Sequence, residues 1–163
     1  GCVESLAKHR GLSYLRTSRP GTPLLYTRED KFPIGGSKVL RKQKGDKACI
    51  IAAGITVHEA LKAHELLKNE GIPVSVIDAY SVKPLDEETL RNEVSAAGGR
   101  AVVVEDHFAA GGLGDAAASA LAGKASMIHL AVEELPRSGR PDELLQKYGI
   151  SARHIVRAVK SAL

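Results

Sequence analysis

Four short apolar runs, separated by stretches of helical character, constrain this chain more than any other feature. They are 48–53 (Ala-Cys-Ile-Ile-Ala-Ala), 74–77 (Val-Ser-Val-Ile), 101–104 (Ala-Val-Val-Val) and 127–132 (Met-Ile-His-Leu-Ala-Val). The first is apolar at every position, as a strand buried on both faces must be. After it, Thr56 and Glu59 have capping-box spacing, and Val57, Ala60, Leu61 and Leu67 recur at three and four up to a stop at Gly71. Asp86 starts a second helix to about Ala97, ended by Gly98-Gly99, and Gly111-Gly112-Leu113-Gly114 opens an Ala-rich helix through Leu121. Two further helices close the chain, Asp142–Tyr148 and Ala152–Ala162, the latter with Ser151 as cap. Strands that alternate with helices of about ten to fifteen residues make βαβ units, and right-handed crossovers put helices on both faces. The predicted class is α/β with a mainly parallel sheet.

Charge divides the chain in a second way. Residues 1–47 carry 11 basic and 4 acidic side chains, and residues 48–163 carry 12 and 15. Pro20, Pro23, Pro33 and Gly35-Gly36 stand just before the change of sign, so two units are expected to meet near residue 35. The first would hold a helix at 3–8 and a strand at 12–17, and 38–47 reads as an exposed edge strand and turn. Helical residues begin at once after Gly1, with no initiator Met, as in a piece of a longer polypeptide. The chain is 44% apolar and 26% charged, which argues against disorder, and no run reaches the ~18 apolar residues of a membrane helix. Cys2 and Cys49 are too few for a disulfide framework or a closed metal site, and they fit a reducing cytosol.

Several constellations have both a chemical and a structural meaning. Gly112-x-Gly114-x-x-Ala117, with Glu133 21 residues after Gly112, loosely matches a dinucleotide fingerprint. The strand, however, is expected to end near Glu105, leaving 106–111 between it and the glycines, so tight turning and close helix–sheet packing explain them better. Glu105-Asp106-His107 places two acids and an imidazole at the carboxyl end of a strand, where acid–base chemistry is possible. No Gly-x-Ser-x-Gly elbow accompanies them, which favours polar groups that cap the next helix or face a neighbouring domain. The six histidines show no metal-ligand spacing. The basic run at 38–47 lacks the aromatics and motifs of a nucleic-acid surface, and lysines on an edge strand discourage edge-to-edge pairing.

Arg16-Thr17-Ser18-Arg19-Pro20 stands apart: two arginines at the end of an apolar strand, where a guanidinium can fork onto a phosphate or carboxylate. Taken with 53–61 (Ala-Gly-Ile-Thr-Val-His-Glu-Ala-Leu), Lys83-Pro84-Leu85-Asp86, 103–107 with Gly111–Gly114, and the ending that includes Leu135-Pro136-Arg137-Ser138-Gly139 and Tyr148-Gly149-Ile150, this segment resembles the carboxyl-terminal part of the animal-type transketolases. The resemblance runs in order through all 163 residues. The β subunits of 2-oxoacid dehydrogenases and deoxyxylulose-phosphate synthase share the Glu-Asp/Glu-His and Gly-Gly-x-Gly pattern, but the Arg-Thr-Ser-Arg-Pro and Pro-Arg-Ser-Gly segments favour transketolase.

The resemblance implies that residues 1–34 are the tail of the domain that receives the aminopyrimidine of thiamine diphosphate, plus a linker, and that 35–163 form the third domain. The family transfers a two-carbon ketol unit between sugar phosphates of the pentose phosphate pathway, with thiamine diphosphate and Mg2+ or another divalent cation. It is a cytoplasmic homodimer, with no implied nucleic-acid or membrane partner. One role carries over, the sugar-phosphate contact of Arg19; Arg16, on the other side of an extended strand, receives none. The chain contains no Gly-Asp-Gly diphosphate motif. It also lacks the family's catalytic glutamate and channel histidines, so it is expected to need the missing amino-terminal domains for activity. It departs from the animal pattern at Phe108-Ala109-Ala110, where aromatics are usual. The competing expectation is a free-standing regulatory or interaction module, or a nucleotide-binding domain acting at 105–114.

Overall fold

A computed structural model describes residues 1–18 and 21–163. After a short helix α1 (Cys2–Ala7), the chain forms β1 (Lys38–Arg41), β2 (Cys49–Ala52), α2 (Ile55–Asn69), β3 (Ser75–Asp78), α3 (Glu87–Ala96), β4 (Arg100–Phe108), α4 (Leu113–Leu121), β5 (Ser126–Val132), α5 (Pro141–Lys147) and α6 (Ala152–Ala162). The five strands form one sheet in the order β1-β3-β2-β4-β5. All neighbours are parallel except β1, which runs antiparallel along the β3 edge.

The period of two along each central strand creates the layers. In β2, Ile50 and Ala52 face one core and Cys49 and Ile51 the other; in β4, Val102 and Val104 oppose Ala101 and Val103. The first core takes its helical side chains from α2 and α6 (Val57, Leu67, Ile155, Val159), the second from α3 and α4 (Leu90, Val94, Leu113, Ala117). All four residues of β2 are fully buried, which accounts for its unbroken apolar run. The Cys49 thiol, enclosed there, is pushed up to about 12 by burial.

Local signals place the helix ends, with three departures from the sequence-based expectations. Asp86 accepts from the Thr89 amide at 3.1 Å as expected, and Gly98 and Gly99 end α3 with positive φ. Thr56 and Glu59, however, do not form a capping box. Gly54, at φ 64, takes the cap position two residues ahead of Thr56, and the Thr56 hydroxyl lies 2.9 Å from the carbonyls of Ala53 and Val104. Glu59 instead accepts from the Ala152 amide at 2.8 Å, so it caps α6 from across the core. Ser151 occupies the cap position of α6, but its hydroxyl bonds the side chains of Gln146 and His154. Residues 12–17 pair with no strand among the described residues, and Leu12 and Tyr14 stand exposed; an extended segment becomes a strand only beside a hydrogen-bonding neighbour.

The segment ahead of β1 is fastened to the β3 end of the sheet. Tyr26, Phe32 and Tyr80 stack edge to face, with centroids 4.9 and 5.0 Å apart. Lys38 reaches Asp30 at 3.0 Å and lies over the Phe32 ring, and the Gly35 amide donates to the Ser81 hydroxyl at 3.0 Å. The Tyr26 hydroxyl donates to Asp78 Oδ2 at 2.5 Å, while the buried Oδ1 has no hydrogen-bond partner among the described residues.

Burial raises the Asp78 carboxyl above its ordinary range, and the bond from Tyr26 opposes this. A carboxyl raised in the folded state stabilises the fold below its unfolded pKa, about 4, and that contribution is lost as pH climbs through the folded value. Asp78→Asn should therefore remove part of the decline in unfolding free energy as pH rises above about 4, read by denaturant titration. Parallel declines in the two proteins would show that Asp78 is not its source.

Candidate functional site at the switch of the sheet

From β2 the chain crosses through α2 to β3 on one side, and from β3 it returns through α3 to β4 on the other. Adjacent strands whose connections leave in opposite directions open a crevice at their carboxyl ends, the usual ligand position in doubly wound sheets. Here the crevice lies between Ala53-Gly54 after β2 and Glu105-Asp106 in β4. It adjoins the amino terminus of α4, where free amides would ordinarily hold an anion.

Both positions are filled by the protein's own side chains. Glu105, 4% exposed, accepts from the amides of Leu113 and Gly114 at 2.7 and 2.8 Å, and its Oε1 lies 2.7 Å from His129 Nε2. A carboxylate thus occupies the place a pyrophosphate would take in a dinucleotide site. Gly112 and Gly114 allow this approach: a Cβ on the first would overlap the Glu105 carboxylate, and one on the second the His129 ring. The glycine pattern therefore serves packing, and the nucleotide alternative loses its cradle.

Asp106 holds the crevice itself. Its Oδ1 and Oδ2 accept from Arg16 Nη1 and Nη2 at 2.9 and 2.8 Å, and its carbonyl accepts from Nη2 at 3.1 Å. The hydrogen bond to Asp106 pushes the Arg16 guanidinium up further from its already high range, and Glu105 adds to this through space. His107 is exposed, with its Nδ1 near the carbonyl of Phe108. The three consecutive residues therefore do different things and form no shared acid–base centre. The strand also continues through them: β4 extends to Phe108, opposite Val132 of β5, rather than ending near Glu105.

The other candidates take structural places. His64 Nδ1 lies 2.9 Å from the carbonyl of Val74, and His154 bonds Ser151. Burial lowers the His58 and His154 pKa values, with Lys62 and Arg157 acting in the same direction. Among the described residues, no three His, Cys, Asp or Glu side chains gather where an ion could sit, and no helix is long and apolar enough to cross a membrane. In the basic run, Lys42 pairs with Glu93 at 2.6 Å and β1 forms the antiparallel edge strand. Arg19 lies outside the described residues. The Arg16–Asp106 pair went unforeseen because 90 positions separate its members and no periodicity links them. Glu105 was easier to find: an acid at a strand end just before Gly-x-Gly is placed to meet the following helix.

These features define an open, doubly wound α/β domain whose switch point is closed by a buried glutamate and an arginine from the preceding segment. Residues 37–155 match the family model "Transketolase, C-terminal domain". The chain is 46% identical to transketolase-like protein 2 of Mus musculus over 159 residues, 96% of this chain and 25% of that protein. It is 42% identical to transketolase of Homo sapiens over 163 residues, 99% of this chain and 26% of that protein. Among solved structures, a split-gene transketolase described as an inactive β4 tetramer superposes with a TM-score of 0.90 at 35% identity, covering 99% of this chain and 52% of that one. The chain belongs to the transketolase C-terminal domain family, and it spans about a quarter of the length of these curated relatives.

Gly114→Ala should force the His129 ring and its bond to Glu105 apart and lower stability by ~1–3 kcal/mol, the usual cost of overpacking. Gly45→Ala is a poor control because its φ is positive, whereas Gly21→Ala meets open space and should stay near the parent. Thermal denaturation of the three proteins checks this, and equal midpoints for Gly114→Ala and the parent would count against close approach at α4.

Proposed function

We propose that this chain is the carboxyl-terminal region of a transketolase-type enzyme, which moves a two-carbon ketol unit from a ketose phosphate to an aldose phosphate in the pentose phosphate pathway. The observation that carries the proposal is the match of nearly the whole chain to a quarter of transketolase and transketolase-like proteins. In this reading residues 1–34 are the tail of the pyrimidine-binding domain with its linker, 35–163 are the third domain, and the assembled enzyme is a cytoplasmic homodimer.

Thiamine diphosphate with a divalent cation supplies the carbanion chemistry in such enzymes. The described residues of this chain do not fit that group. The helix amides that could cradle a diphosphate are taken by Glu105, and no carboxylate cluster offers an ion site. The cofactor then belongs to the remaining domains, and no chemical step passes through this region.

What the chain brings is substrate recognition. Arg19 holds the sugar phosphate, because a guanidinium beside a phosphate dianion gains charge-assisted, bidentate hydrogen bonds. A further part is mechanical: the domain packs against the segment that leads to that arginine.

Ketol transfer should be absent from the isolated chain and present in the polypeptide carrying the other domains; robust activity in the isolated chain would overturn this division. In that polypeptide, Arg19→Ala should raise KM for phosphorylated sugars by an amount equivalent to a lost charged hydrogen bond, ~1.5–3 kcal/mol. An unchanged KM would remove the phosphate role.

A further inference from the structure

The two edges of the sheet meet solvent differently. β1, on one side, is four residues long, carries Lys38 and Arg41, and breaks register between Val39 and Arg41. Basic side chains, a short run and a break in register all discourage a further strand. β5, on the other side, runs for seven residues with no Pro, Gly, Lys, Arg, Asp or Glu among them. Among the described residues it pairs with β4 alone. The Ser126 amide donates to the Gly99 carbonyl at 2.8 Å, on the β4 side. By the alternation of a strand, Ser126, Ile128 and Leu130 turn their backbone groups to β4, and Met127, His129 and Ala131 turn theirs outward. The side chains are also incompletely covered. Ile128, Leu130 and Val132 pack on the first core but stay partly exposed, whereas Ile50, Ala52, Val102 and Val104 of the inner strands are fully buried. Beside this edge lies an open groove of about 580 Å³, lined among others by Leu130, Lys147, Tyr148, Gly149 and His154.

A row of outward amides and carbonyls is matched by a second extended backbone, which offers acceptors and donors at the same spacing. We propose that the occupant is β5 of a second copy of this chain, running antiparallel about a two-fold axis at His129. Around that centre the sequence is self-complementary: Ile128 falls opposite Leu130, Met127 opposite Ala131, and Lys124 of each copy at the Glu133-Glu134 end of the other. All three charged residues are exposed, and the ion pair that Glu134 makes within the chain is the long one to Lys147, at 3.7 Å. A parallel arrangement would instead set Lys124 against Lys124 and acids against acids, which is unfavourable between neighbouring strands.

In the antiparallel pair, Met127, His129 and Ala131 exchange hydrogen bonds with Ala131, His129 and Met127 of the second copy, and the two five-stranded sheets become one. Ile128 of the second copy then lies beside Leu130, on the face where Tyr148 packs. His129 keeps its bond to Glu105, because its side chain stands off the sheet face and only its backbone lies in the edge. One strand and a groove make a small interface, so the association is reversible and weaker at high salt. The contact uses this domain alone and is read without any assay of ketol transfer, so it stands apart from the enzyme assembly proposed above.

Sedimentation equilibrium of the 163-residue chain, run over a range of concentrations and at two salt levels, tests this. The parent should pass between monomer and dimer, with the dimer favoured at low salt. Ala131→Pro deletes an outward amide and leaves the β4 ladder intact, and Lys124→Glu sets acids against acids; each should weaken the dimer about tenfold or more. Lys124→Glu changes only an exposed side chain, which keeps loss of pairing distinct from loss of folding. Adding Glu133→Lys and Glu134→Lys to Lys124→Glu should restore the dimer, and Lys44→Glu, exposed beside the far edge, should leave it unchanged. A chain that stays monomeric at every concentration would overturn the proposal. A dimer indifferent to Lys124→Glu, or weakened as much by Lys44→Glu, would also overturn it, by placing the contact elsewhere. Failure of the triple reversal to restore pairing would rule out the antiparallel register and the proposal with it.

Discussion

A single carboxylate sets up the carboxyl end of the sheet. Glu105 is buried, and its two oxygens receive two amides from the first turn of α4 and lie against the His129 ring. Burying a carboxylate is costly unless its lone pairs are met by donors, and a helix amino terminus supplies donors and a favourable dipole together. In return, α4 is docked on β4 at a fixed height, β5 is tied in through His129, and two glycines become obligatory at the contact. The same arrangement fills the anion cradle at the amino terminus of α4. A place where doubly wound folds usually bind nucleotides is thereby filled by the chain's own side chains.

The second consequence concerns the segment ahead of β1. It touches the domain at two separate places, Arg16 in the crevice after β4 and the Tyr26–Phe32–Tyr80 cluster beside β3. The aromatic contact is largely apolar and shielded, and Lys38 over the Phe32 ring adds a cation–π term. The arginine contact is polar and partly exposed, with Asp106 26% accessible, so solvent and salt weaken it. Most of the holding force therefore lies near residues 24–38, and the arginine contact determines direction more than stability.

The parallel sheet, its two helical layers and the edge lysines were legible because period-two and period-3.6 patterns are local. Positions 101–104 read as a strand from their own side chains alone. The extension of β4 to Phe108 was not legible, because Glu105, Asp106 and His107 look like loop residues until β5 and α4 supply their partners. Capping was legible at Asp86, whose target is three residues away, and misread at Glu59, whose target Ala152 comes from a distant helix. The glycines near 112 read as packing residues, and Glu105 before them reads as a cap for the next helix; the His129 ring against Gly114 was not visible in the motif. Residues 12–17 show the opposite failure: they have strand composition, yet no described strand lies beside them.

Charge explains why an arginine, rather than a small ligand, suits the crevice. The amino-terminal 47 residues are strongly basic and the remainder is acidic, so the two parts attract before any specific contact forms. Within the acidic part, Glu105 and Asp106 stand side by side at the end of β4, and only Glu105 is neutralised by helix amides. Asp106 is left with its charge at the mouth of the crevice. A phosphate would be repelled there, whereas a guanidinium matches both oxygens and the adjacent carbonyl at once. The charge at the end of β4 therefore suits a cation from the neighbouring segment, and that preference needs both acids in their present order.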